Sequence, residues 1–156
     1  MKIFEKKRFP NGKRDIYIGG HKVFTYWCDK LKGVKRNCDI PLDFAKMLIR
    51  EKNVQFIHPL GIVISSHAKI GNNCRIFQNV TIGGKSDENP LNLPTLEDNV
   101  TVYANSVLVG KIHIGKNAVI GCGSVVMCDV PENEIWAGNP ARFIKKRETK
   151  DIKNEN

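Results

Sequence analysis

A chain of 156 residues, 41% hydrophobic and 26% charged, suits one domain with a sizeable core and is short for two. No apolar run approaches the roughly 18 residues of a membrane-spanning helix. The start, MKIFEKKRF, lacks the apolar stretch of a secretory signal, so a cytoplasmic protein without membrane insertion is expected. The net charge of +9 suits an anionic partner such as a phosphorylated cofactor, whereas no nucleic-acid motif accompanies it and no nucleic-acid partner is expected.

In chain order, His21 to Leu31 places Phe24, Trp27, Cys28 and Leu31 at helical spacing, with Gly33 as a stop. Pro41 to Lys52 does the same with Leu42, Phe44, Met47, Leu48 and Ile49. Residues 1–53 therefore read as an N-terminal extension with one or two helices. The five cysteines (28, 38, 74, 122 and 128) are odd in number and lack C-x-x-C spacing. Reduced, mostly buried thiols are expected, not a disulfide framework or a zinc ribbon.

From about Ile64 to Val130 a six-residue repeat takes over. Ile70, Ile76 and Ile82 stand six apart, and a second frame runs Leu96, Val102, Leu108, Ile114, Ile120 and Val126. Four residues after every start except Ile82 lie Cys74, Val80, Val100, Ser106, Ile112, Ala118, Ser124 and Val130, all small or β-branched. Period six is neither a helical stripe nor simple alternation. It fits a chain that turns a corner every six residues and points one aliphatic residue into the axis of a prism. The glycines at 71, 83, 115 and 121 are expected to supply backbone freedom at those corners. Three units close a coil of about 18 residues, giving a parallel β-helix over 54–131. Between Ile82 and Leu96 the frame slips, and the turn-rich GGKSDENPLNLPT places a loop at 84–95. Residues 132–156 read as an extended segment, IWAGNPARFIKK, followed by a polar tail.

The stretch HPLGIVISSHAKIGNNCRIFQNVTIGGK (58–85), with IGKNAVIGCGSVVMCDVP and AGNPAR further on, resembles the hexapeptide-repeat acyltransferases. The likeness is to the serine acetyltransferase branch and its sugar and polysaccharide O-acetyltransferase relatives. It implies a mainly β fold, a left-handed parallel β-helix with a short helical N-terminal segment, assembled as a homotrimer with acetyl-CoA as acetyl donor. Within it His58 falls on the catalytic histidine, one full coil before Ile76. Gly83 and Gly84, followed by Lys85, fall beside the acetyl-CoA arm. Ala104 and Cys122, one coil apart, fall where small residues let backbone groups bond the pantetheine, and Lys145 and Lys146 lie where cofactor phosphates are expected.

A neutral imidazole at His58 suits removal of a hydroxyl proton, and backbone N–H groups around Gly83 and Gly84 suit the oxyanion that follows. His21, His67 and His113 have no catalytic counterpart, and no metal is expected because the paired histidines of β-helix zinc enzymes are missing. Serine acetyltransferases carry Asp before the catalytic His, where Ile57 stands here, and Arg-His before the re-entering Pro, where Asn92-Leu93 stands here. An acceptor carboxylate thereby loses its expected guanidinium partner. The expected activity is O-acetylation of a sugar or capsular polysaccharide hydroxyl. Serine O-acetylation is the alternative, and a non-catalytic trimeric scaffold is the second. Asp43 precedes His58 by the family's spacing for an orienting carboxylate, but in a segment that reads as helix.

Overall fold

The computed structural model describes the backbone of residues 4–8, 14–18 and 21–25, and residues 38–85 and 92–148 in full. The chain opens with an antiparallel meander of β1 (Phe4–Arg8), β2 (Arg14–Ile18) and β3 (His21–Thr25) in that order. The helix expected from His21 is thus a strand over its first five residues; the rest of that segment lies outside the described residues. Val23 and Thr25 are β-branched, and pairing with β2 outweighs the helical spacing of a few large residues.

α1 (Leu42–Arg50) buries Ala45, Leu48 and Ile49 against the start of a three-faced prism. The first face stacks β4 (Gln55–Phe56), β7 (Arg75–Ile76), β10 (Thr101–Val102) and β13 (Val119–Ile120). The second stacks β5 (Val63–Ile64), β8 (Thr81–Gly83), β11 (Val107–Val109) and β14 (Val125–Val126). The third stacks β6 (Lys69–Ile70), β9 (Thr95–Leu96) and β12 (His113–Ile114). All these pairings are parallel, and the whole is a left-handed β-helix. A hairpin of β15 (Glu134–Gly138) and β16 (Ala141–Lys146) closes the far end as an extension of the first face.

The nine residues at the repeat positions are at most 2% exposed, and the eight positions four later are buried with them. Each fully buried aliphatic side chain contributes about 1.5–3 kcal/mol relative to an exposed one, so the stack is a continuous core. Ser106 and Ser124 enter it because their hydroxyls donate to the carbonyl of Gly121, at 2.9 and 2.6 Å.

Two expectations about the corners change. The left-handed backbone is carried mainly by asparagine (Asn73, Asn79, Asn99, Asn105, Asn117 and Asn133, φ 55–62°), not by the repeat glycines. Gly71, Gly115 and Gly121 are needed for close approach instead. A Cβ on Gly71 would meet the carbonyl carbon of Glu97 at 2.5 Å, and one on Gly115 the amide of Glu132 at 2.5 Å. The thiols also divide. Cys74 is buried, Cys38 half-buried, and Cys122 and Cys128 are exposed; Cys28 lies outside the described residues. Burial pushes the Cys74 thiol up to about 11, which keeps it protonated.

Candidate active site

Coil length locates an irregular corner. Val63 pairs with Thr81, Thr101 with Val119 and Val107 with Val125, each one regular coil apart. Phe56, however, pairs with Ile76, two positions further along than a regular coil would place its partner. The Ile57 N–H still donates to Ile76 O, and the Asn79 N–H already donates to Leu60 O, both at 2.8 Å. The two additional residues are therefore His58 and Pro59, which leave the prism as a bulge at the edge between the first and second faces. His58 is exposed there with φ of 51°, a left-handed conformation unusual for a non-glycine residue. His58 therefore sits beneath the Phe77–Gln78 corner and not, as the regular 18-residue spacing predicts, one full turn before Ile76. The step from Lys69 to Thr95 is longer still, because the loop lies within that coil.

Above the bulge one column runs along the same edge: Leu60, Gln78, Ala104 and Cys122. Its carbonyls form a ladder, with Asn105 N–H donating to Gln78 O at 3.1 Å and Gly123 N–H to Ala104 O at 2.9 Å. The structure thus brings His58, Ala104 and Cys122 to one edge. Ala104 has its carbonyl engaged, so its N–H is the backbone group left to meet an extended arm.

Gly83, Gly84 and Lys85 fall elsewhere, at the end of β8, where the second face meets the third. From Asn79 to Gly83 the strand advances about 13 Å at roughly 3.3 Å per residue. Nothing lies within 4 Å of a Cβ built on Gly83, so this position is open. Lys145 is also displaced, since it pairs with Ile135, and Ile135 with Val119, at the end of the first face away from Cys122. Arg142, opposite Ala137, is the hairpin cation nearer the Cys122 edge.

The other histidines are occupied or remote. His113 Nε2 lies 3.0 Å from Glu97 Oε1 on the third face, and His67 Nδ1 is 3.3 Å from its neighbour Ser66. Asp43 is no orienting group for His58: it sits on α1 with its carboxylate 94% exposed, 2.7 Å from Lys46, which lowers its pKa. Among the described residues no three His, Cys, Asp or Glu side chains converge as a metal site, and no helix is long and apolar enough to cross a membrane.

Residues 94–127 match the family model described as bacterial transferase hexapeptide (six repeats). The chain is 41% identical over 87 residues to a serine acetyltransferase of Bacillus licheniformis, covering 56% of this chain and 40% of the relative. It is 44% identical over 87 residues to that of Synechococcus elongatus, covering 56% and 36%. Among solved structures, the serine acetyltransferase of Brucella abortus in complex with coenzyme A gives a TM-score of 0.60 at 31% identity, over 62% of this chain and 38% of that one. The soybean enzyme complexed with serine gives 0.57 at 39%, over 59% and 38%. The chain spans about two fifths of the length of these relatives.

The chain is therefore a hexapeptide-repeat left-handed β-helix similar to the serine acetyltransferase branch. That likeness overturns the carbohydrate acceptor, and the place in polysaccharide synthesis that went with it, because these relatives are serine acetyltransferases. The expectation rested on the missing Arg-His pair. Leu93, at the second position of that pair, is only 8% exposed, and Pro94 is buried too, so this stretch turns toward the prism. Its loss does not decide the acceptor.

Proposed function

From this likeness and the His58 edge, we propose that the chain is an acetyl-CoA-dependent serine O-acetyltransferase. The observation that carries the reading is the two-residue bulge. It puts an imidazole outside an otherwise regular corner, on the edge whose next coils present the small residues Ala104 and Cys122. An extended pantetheine arm along that column would bring its thioester to His58. His58 takes the proton of the serine hydroxyl as the oxygen attacks, the C–S bond breaks, and the proton returns to the leaving thiolate. Open backbone near Gly83 and Gly84 suits the oxyanion, and Arg142 suits the cofactor phosphates better than Lys145.

Gly83 and His58 lie on opposite edges of the second face, which favours a site built between copies. The outward column of that face is Asp39, Val63, Thr81, Val107 and Val125, with Met127 beyond; Asp39 is exposed, and Val63 and Met127 are 40% and 53% exposed. Three such faces, valine-rich above Asp39 and Thr81, turned toward one axis would set the His58 edge of one copy against the Gly83 edge of the next. This supports a homotrimer. Use of acetyl-CoA and the unpaired thiols suit a cytoplasmic setting.

The test is release of CoA thiol from acetyl-CoA with L-serine, against a panel of sugars and amines. Serine-dependent release is expected. Turnover with every acceptor except serine overturns the reading, and failure to bind CoA at all would make the β-helix a scaffold.

A further inference from the structure

The acceptor proposed above carries a carboxylate, and the Arg-His pair expected before Pro94 is Asn92-Leu93 here. A carboxylate leaving water calls for a cation, and a guanidinium meets it best, with two parallel N–H donors. Among residues 38–148 the arginines are Arg50, Arg75, Arg142 and Arg147. Arg50 ends α1, before the first face begins. Arg147 is buried, with its NH1 donating to Asn117 O at 2.9 Å. Arg142 belongs to the closing hairpin, and from β4 to β15 the stack climbs four strands, roughly 19 Å at about 4.8 Å per strand. Serine cannot bridge that rise, because its carboxylate and hydroxyl oxygens lie only about 3–4 Å apart.

Arg75 stands on the strand directly above the one that runs into the His58 bulge. Gln55 pairs with Arg75 and Phe56 with Ile76, and the Ile57 N–H donates to Ile76 O at 2.8 Å. Phe77 therefore lies across from Ile57, and His58 is the next residue along. Ile76 is fully buried, so half-buried Arg75 and Phe77 on either side of it point outward together. Residues two apart on a strand are separated by about 6.6 Å at the backbone. The guanidinium carbon of Arg75 is 5.7 Å from the centre of the Phe77 ring, so it leans along the strand toward the His58 edge. The Phe77 ring is itself backed by Tyr103 of the next coil, at 4.8 Å between centroids. An aromatic ring engages the face of a guanidinium, whereas a carboxylate meets the N–H donors at its rim, so the two contacts are compatible.

We propose that Arg75 is a specificity residue for the acceptor, its guanidinium, steadied by Phe77, pairing with the acceptor carboxylate while the acceptor hydroxyl faces His58. This rests on the serine O-acetyltransferase reading. A cation on the first face thereby takes over the task that the re-entrant loop, with Asn92-Leu93, does not perform.

Arg75→Met keeps the stem and removes the charge. Rates of CoA-thiol release are compared for L-serine and L-serinamide, which replaces the carboxylate by a neutral amide. The parent is expected to favour serine. In Arg75→Met the KM for serine rises about 10–100-fold, the usual loss for a hydrogen-bonded charged pair, while the KM for acetyl-CoA holds and the preference for serine over serinamide disappears. Arg75→Lys keeps the charge without the fork and should fall between the two. Phe77→Leu removes the ring but not the cation and should raise the serine KM by less. An arginine that only supports the fold would affect both acceptors alike. Retention of the parent's serine-to-serinamide ratio in Arg75→Met therefore overturns the assignment and leaves serine as the acceptor. If Arg75→Met does not fold, the same ratio in Arg75→Lys and Phe77→Leu decides. A parent that acetylates other acceptors but not serine overturns the acceptor reading and this subsite with it.

Discussion

Two histidines stand on the outside of the same prism and could hardly be placed more differently. His113 lies within a strand on the third face, in regular register with Thr95. Its N–H donates to Asp129 Oδ1 at 2.7 Å, its ring lies 3.0 Å from Glu97, and the other oxygen of Glu97 accepts from Lys116 N–H at 2.8 Å. His58 stands in the one coil lengthened by two residues, at positive φ, with no such partners among the described residues. The first histidine is satisfied by its surroundings and serves them. The second breaks the repeat, and a repeat that turns this corner regularly in every later coil has no packing reason to lengthen there. Departure from register marks function better than residue type does.

The sharpest way to break this comparison is to delete His58 and Pro59 together. Ile57 then joins Leu60, and the sequence Phe56-Ile57-Leu60-Gly61-Ile62 aligns with Ile76 to Val80 as a regular coil. The melting temperature should hold or rise, while kcat should fall by about 10²–10⁴-fold, the usual contribution of a general base. Calorimetry and CoA-thiol release on the same sample check both. Loss of folding would show that the bulge is structural.

The β-helix was legible because its signal is redundant: every coil repeats the same inward demand, and each repeat position from Ile70 to Val126 answers it with Ile, Val or Leu. The bulge was not, because two residues inserted into one coil leave the apolar spacing on either side intact. Counting back from Ile76 assumed a regular coil where the chain has one that is two positions longer. The repeat glycines suggested corners because glycine usually does, yet closeness of neighbouring coils selects them, and closeness is invisible along one chain. At the other end of the chain, His21 to Thr25 shows a local helical spacing overruled by pairing with β2, a partner that spacing cannot reveal.

A smaller effect is expected along the column above the bulge. Cys122 is exposed and stands one coil on from Ala104, so a large side chain there obstructs an arm lying along the edge without touching the core. Cys122→Trp should raise the KM for acetyl-CoA about tenfold, equivalent to ~1.4 kcal/mol of binding, and alter kcat much less. An unchanged KM would place the arm on another edge and detach Ala104 and Cys122 from the site.

The smallest effect belongs to the regular corner. The His113 and Glu97 side chains are 50% and 44% exposed, so solvent screens their attraction, and a pair of this kind contributes under about 1 kcal/mol. Glu97 also keeps its bond to the Lys116 N–H when the imidazole is gone, so no buried group is stranded. His113→Gln should therefore lower stability by less than about 1 kcal/mol in urea titration and leave kcat and both KM values in place. A large loss of activity in that variant would mean that the third face shares in the chemistry, and the contrast between a histidine that keeps the register and one that breaks it would no longer separate structure from function.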